Sequence, residues 1–238
     1  MTWQDGDRQR VLDHGYVQLV ESWGSDERVI EAARMSTGRG FQGWGTAEAP
    51  GDERLLRYLW EHRHATPFEM AGLVLEVQAP IFVFREWHRH RTQSYNELSA
   101  RYTPLPDVNY LPTVERLLRD AAGSNRQANR ATGAPELTRD GAEEFRERLD
   151  EQYVEAERLY QRALAAGVPK ELARCVVPVG RYSRMRASAN LRNWLAFLTL
   201  RMDPAAQYEI RQFANVVGQV IASRFPRTWE LTGLQEAP

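Results

Sequence analysis

The chain has 238 residues, 42% hydrophobic and 26% charged, enough for one large domain with a buried core. Its formal net charge of −1 gives no bulk attraction to nucleic acid or to an acidic membrane surface. No apolar run reaches the length of a membrane span, the first residues lack a signal-peptide core, and one cysteine cannot close an internal disulfide. A cytoplasmic location is therefore expected.

Arg10–Ser22 carries Val11, Tyr16, Val17, Leu19 and Val20 and predicts a strand with a turn at His14-Gly15. Ser25-Asp26-Glu27 opens a short helix reaching Ala33. The glycine-rich stretch Thr37–Gly51 reads as a loop. Asp52 to about His62 is helical, with Leu55, Leu56, Leu59 and Trp60 as its apolar stripe, and Thr66-Pro67-Phe68 breaks it. Leu73–Ala79 alternates as a strand should, and Pro80 starts a helix expected to run to about Arg91. Residues 104–135 are polar and read as a long irregular connection. Helices are then expected over Asp140–Ala166, Lys170–Val177, Leu191–Arg201 and Ala205–Arg224, with a strand at Tyr182–Ala189. A few strands interrupted by helices, with helices dominating the second half, predict an α+β fold in a single domain over 1–238.

All but one of the 31 cationic residues are arginine, Lys170 being the exception. An arginine therefore carries weight only inside a constellation. The constellation is Arg89-His90-Arg91, a serine- and asparagine-bearing turn, then Ser99 and Arg101. Guanidinium forks grip phosphate oxygens in pairs, and hydroxyls with free backbone N–H groups complete such a cradle. At helical spacing Phe82, Arg85, Glu86 and Arg89 share a face, so Glu86 is expected between the guanidiniums of Arg85 and Arg89.

His62, His64, His88 and His90 form two His-x-His pairs, but each encloses an arginine and matches no specific zinc spacing, so no metal site is expected. A metal-dependent hydrolase and an RNA-binding module with Trp87 and Tyr95 as stacking platforms are the weaker readings. Cys175 lies among apolar neighbours and is expected to be buried and inert.

The segment Arg89-His90-Arg91, seven residues and Ser99 resembles the signature of flavin-dependent thymidylate synthases. So does His64-Ala65-Thr66-Pro67-Phe68-Glu69 upstream of it, and so do Ala32-Ala33-Arg34-Met35-Ser36, the helix ending in Arg174, Asn190-Leu191-Arg192 and Leu200-Arg201. The resemblance extends from about Tyr16 to Pro226. It implies a central mixed or antiparallel sheet flanked by long helices. It further implies methylation of dUMP to dTMP, with methylenetetrahydrofolate as carbon donor and NADPH-reduced FAD as hydride source, without a cysteine nucleophile. By the resemblance, Ser36, Thr66, Arg89, His90, Arg91, Glu97, Asn190 and Arg192 hold FAD. Glu86, Arg89, Glu97, Leu98, Ser99, Ala100, Arg101, Arg174 and Arg201 surround dUMP. Arg201 activates the pyrimidine and His64 stands near the reacting face. The family's members are homotetramers with ligands between subunits, so Arg174 is expected to serve a neighbour's site. Three positions depart from the pattern: Glu86 where some members carry Gln, Ala196 where Asn or His is expected beside the flavin, and Ala205 where His is common. A more loosely held flavin is the expected consequence.

Overall fold

The computed structural model describes residues 2–46, 48–119 and 136–235. Strands β1 (Arg8–Val11) and β2 (Gly15–Trp23) form a hairpin. Helices α1 (Asp26–Arg34) and α2 (Asp52–Glu61) follow, and then strand β3 (Gly72–Pro80). Next come helix α3 (Ile81–Trp87), strand β4 (Ser94–Glu97) and helix α4 (Val114–Leu118). The second half contains α5 (Arg139–Ala165), α6 (Lys170–Ala173), strand β5 (Tyr182–Asn190), α7 (Leu191–Arg201), α8 (Tyr208–Arg224) and α9 (Pro226–Thr232).

The five strands form one sheet in the order β1-β2-β3-β5-β4, and every neighbouring pair is antiparallel. Side chains opposite one another in such a sheet share a face. Val17, Leu19, Leu75, Val77, Met185 and Ala187 therefore point together, and all are buried. The reverse face carries Gln18, Glu76 and Arg186 across the same three strands, so the sheet is dry on one side and polar on the other. The expected α+β class is the one observed.

Helices α7 and α8 cover the dry face. Trp87, Trp194 and Phe197 form the centre of that layer, each essentially inaccessible, with ring centroids 4.6 to 6.3 Å apart. Trp194 Nε1 donates to the carbonyl of Leu73, tying α7 to β3 at 3.2 Å. Asn190 ends β5 and caps α7, its Oδ1 accepting from the Asn193 N–H at 3.0 Å, so strand and helix follow without a loop.

Several expectations need correction. The helix after Pro80 ends at Trp87, not Arg91, and the arginine-rich segment is a turn. Ser94–Glu97, read as part of a turn, is the edge strand β4. Lys170–Val177 is a single α-turn that tightens into a 3-10 turn over Arg174–Val176. That tightening leaves Cys175 exposed, contrary to the expected burial. Helix α4 lies within the stretch read as irregular, and residues 120–135 of that stretch fall outside the described residues. Among the described residues no helix is long and apolar enough to cross a membrane.

Candidate active site

The turn between α3 and β4 presents Arg89, His90 and Arg91, and its shape is fixed from below. Trp87 Nε1 donates to Gln93 Oε1 at 3.0 Å. The Tyr95 hydroxyl bonds to the carbonyls of Trp87 and His90. Asn193 Nδ2, one turn into α7, donates to the Thr92 carbonyl at 3.0 Å. These contacts capture carbonyls that a continuing helix would have used, which is why α3 stops where it does. The Arg89 and Arg91 side chains are exposed, and among the described residues neither has a carboxylate partner.

Beneath the turn lies Arg201, the last residue of α7. Its Nε donates to His90 Nε2 at 2.9 Å, its Nη1 to Glu86 Oε2 at 2.8 Å, and its Nη2 to the Glu86 carbonyl at 3.1 Å. Of the five guanidinium N–H groups, one on each Nη remains available. His90 accepts from a guanidinium that is always charged, so the neutral ring carries its proton on Nδ1. Burial, with Arg201 second, pushes the His90 imidazole down from 6.5 to about 4. Burial also pushes the Glu86 carboxyl up, against the pull of Arg201, and Glu209 adds to the rise. The expectation that Glu86 sits between Arg85 and Arg89 is thus overturned: its partner comes from α7.

Past β4 the chain turns at Ser99. The Leu98 N–H donates to the Arg184 carbonyl at 2.8 Å, the Ser99 carbonyl accepts from Tyr102 and Thr103, and Ser99 Oγ accepts from the Arg101 N–H at 3.3 Å. Glu97 shares the face of Tyr95 and Met185, the helix side of the sheet, and stays exposed at its edge. Ala100 is buried under the turn, and the Arg101 guanidinium lies 5.6 Å from the Tyr102 ring centroid. Arg174 is exposed, its Nε donating to the Glu171 carbonyl at 3.3 Å.

A second region is built around His64. A cleft of about 760 Å³ is lined by Trp60, His64, Phe68, Arg192, Leu195 and Ala196 among others, and a smaller one of about 370 Å³ by Ala32, Ala33, His64, Thr66 and Met70. His64 belongs to both. Ser36 is exposed just beyond α1, its hydroxyl donating to the Ala33 carbonyl at 3.2 Å. Arg192 is ion-paired with Glu69 at the cleft's rim, and the Asn190 side chain is engaged as the α7 cap. The resemblance assigns His90 to FAD and Glu86 and Arg201 to dUMP, and the structure places the three side chains in direct contact. Sequence reading missed Tyr95 and Gln93 as the props of the turn. Their only signal was an aromatic and an amide inside a polar stretch. No three His, Cys, Asp or Glu side chains gather as metal ligands among the described residues.

The model of the family described as "Thymidylate synthase complementing protein" matches residues 18–227. The chain belongs to this family. Among its relatives, a flavin-dependent thymidylate synthase of Thermus thermophilus is 39% identical over 222 residues, covering 92% of this chain and 76% of that protein. The flavin-dependent thymidylate synthase of Thermosipho melanesiensis is 36% identical over 221 residues, covering 93% and 91%. The crystal structure of a UMP/dUMP methylase from Streptomyces cacaoi bound with 5-Br dUMP superposes with a TM-score of 0.80 at 34% identity, covering 94% of this chain and 96% of that one. The family match thus includes the arginine-rich turn, the His64 clefts and Arg201.

Proposed function

We propose that this chain methylates dUMP to dTMP, taking the carbon from methylenetetrahydrofolate and using FAD reduced by NADPH. The observation that carries the reading is Arg201, held with two free N–H groups beneath a turn that exposes Arg89 and Arg91. A pyrimidine ring offers acceptors to the first pair, and a phosphate is matched by the second.

The residues present fit a flavin. The larger cleft has apolar walls from Trp60, Phe68 and Leu195, with His64 and the cationic Arg192 at its edge, which suits a flat ring carrying phosphates. Ser36, Thr66, Arg89, His90, Arg91, Glu97, Asn190 and Arg192 would hold FAD. Bound there, FAD would supply the redox chemistry that a protein side chain cannot. The remaining roles belong to the chain itself. Arg89, Ser99, Arg101 and the backbone N–H groups of Ser99 and Ala100 grip the nucleotide. Arg201 donates to the ring and stabilises negative charge developing at N3, since a guanidinium keeps its proton throughout. The neutral His90 ring holds Arg201 in line without adding positive charge. His64, shared by the two clefts, stands at the face where carbon transfer occurs.

A homotetramer with ligands between subunits belongs to the same reading. Arg174, exposed on its 3-10 turn, would then complete a neighbour's phosphate site, and a cytoplasmic location accompanies it. Because the Streptomyces cacaoi neighbour is a UMP/dUMP methylase, UMP is the second nucleotide to assay.

The deciding measurement is the visible spectrum of purified protein before and after NADPH, with dUMP present. Flavin bands that bleach, followed by dTMP once methylenetetrahydrofolate is added, carry the reading. A colourless protein that takes up no FAD would sink it.

A further inference from the structure

Beyond β4 the chain leaves the sheet and is held at two points. The Leu98 N–H donates to the Arg184 carbonyl at 2.8 Å, and the Pro106 carbonyl accepts from Arg181 Nη1 at 3.2 Å. Between them the turn at Ser99 bonds to itself. The N–H groups of Tyr102 and Thr103 donate to the Ser99 carbonyl, and that of Arg101 to Ser99 Oγ. Among the described residues a single hydrogen bond joins 99–105 to the rest of the molecule: Lys170 Nζ donates to the Tyr102 carbonyl at 3.1 Å, across 68 residues of sequence. Tyr102 is 75% exposed, so its ring does not anchor the turn, and the buried methyl of Ala100 seats the turn without fixing its orientation. Lys170 is the first residue of α6, the end of a helix where positive charge is disfavoured, so the helix itself gives no reason for a cation there. The same short helix leads directly into Arg174.

We infer that Lys170 is a positioning residue for the nucleotide site. Its ammonium pins, through the Tyr102 carbonyl, the turn that presents Ser99, Arg101 and the N–H groups of Ser99 and Ala100. It does not itself touch the nucleotide. The inference rests on the proposed reading and adds to it the contact that orders the turn in advance. A turn without this tether samples several shapes, and affinity falls by the fraction of molecules in the competent one. A charged donor on a main-chain carbonyl is a strong form of such a tether, and it leaves the Ser99 and Arg101 side chains free for phosphate.

The test uses FAD-loaded protein with Lys170→Met, which keeps the apolar stem and removes the donor, and Lys170→Arg, which keeps a charged donor of similar reach. Lys170→Met should raise the dUMP Kd about fivefold, the scale of one hydrogen bond. Its KM for dUMP should rise by a similar factor with kcat unchanged, and its FAD Kd should stay at the wild-type value. Lys170→Arg should return dUMP Kd to within about twofold of wild type. Amide hydrogen exchange supplies the readout that separates a tether from a distant charge. Without nucleotide, residues 99–105 should exchange faster in Lys170→Met than in wild type, and saturating dUMP should close the difference. Wild-type exchange rates in that segment of Lys170→Met would overturn the inference even if dUMP bound more weakly, because the ammonium would then act only through its charge. An equal loss of FAD and dUMP affinity would overturn it as well, since the whole fold would have loosened. Wild-type protein that takes up FAD but binds no pyrimidine nucleotide would sink the proposed function and this inference together. A wild type that binds dUMP and a Lys170→Met variant that binds it equally well would sink the inference alone.

Discussion

The hydroxyl of Tyr95 donates to the main-chain carbonyl of His90 at 2.7 Å, so an edge strand props the turn that it follows. Burial pushes the phenol up to about 12, which keeps it a donor across the working range of pH. Tyr95→Phe removes the bond and leaves the ring. We expect a stability loss of about 1–2 kcal/mol in denaturant unfolding. Flavin and nucleotide affinities should both fall, because Arg89 and Arg91 ride on the same turn. Unchanged affinities in a destabilised variant would show that the turn is held without Tyr95.

The depressed His90 imidazole predicts a pH dependence. Unfolded, the ring titrates near 6.5; folded, it resists protonation down to about 4. Above 6.5 both states are neutral and the group contributes no slope. As pH falls from 6.5 to about 4 the unfolded state takes up a proton that the folded state refuses, so stability declines across that window and levels off below it. His90→Gln keeps an acceptor for Arg201 and removes the titration. Unfolding free energies measured from about pH 4 to pH 7 should flatten in this variant, and an unchanged profile would mean His90 is not the group.

Ala196 lines the larger cleft at the position where relatives are expected to carry Asn or His. Ala196→Asn adds an amide facing the proposed flavin. One extra hydrogen bond is worth about 1 kcal/mol net, or roughly fivefold in FAD Kd. Flavin fluorescence titration reads it directly. A weaker FAD complex would show that the space, not the missing donor, is what this chain uses.

Cys175 is exposed, which makes it available to reagents but gives it no partner in the chemistry. Cys175→Ala should turn over like wild type. A folded but inactive variant would restore a covalent route and displace the role assigned to Arg201.

Regular periodicity made much of the fold legible. The alternation of Leu73, Leu75 and Val77 identified β3, and the apolar spacing of Leu191–Arg201 identified α7. Strand β4 was not legible. Ser-Tyr-Asn-Glu has no apolar alternation, and it is a strand because β5 offers it a hydrogen-bonding edge. The end of α3 was misjudged for a related reason. Local spacing favoured helix through Arg91, but Tyr95, Gln93 and Asn193 capture the turn from outside it. Glu86 illustrates the same limit in the site. Two arginines on its own helix were plausible partners, and the actual one lies across the core. Cys175 had apolar neighbours in sequence, yet a 3-10 turn rotates it outward.

Strand β5 runs straight into α7, and the pair acts as a ruler. The strand is zipped to β4 beside the turn at Ser99, and the far end of the helix delivers Arg201. A single residue inserted in β5 would flip its alternate side chains to the wrong face. One inserted in α7 would swing Arg201 by about 100° around the helix. The stretch from Tyr182 to Arg201 should therefore tolerate exchanges of side chain far better than any change of length.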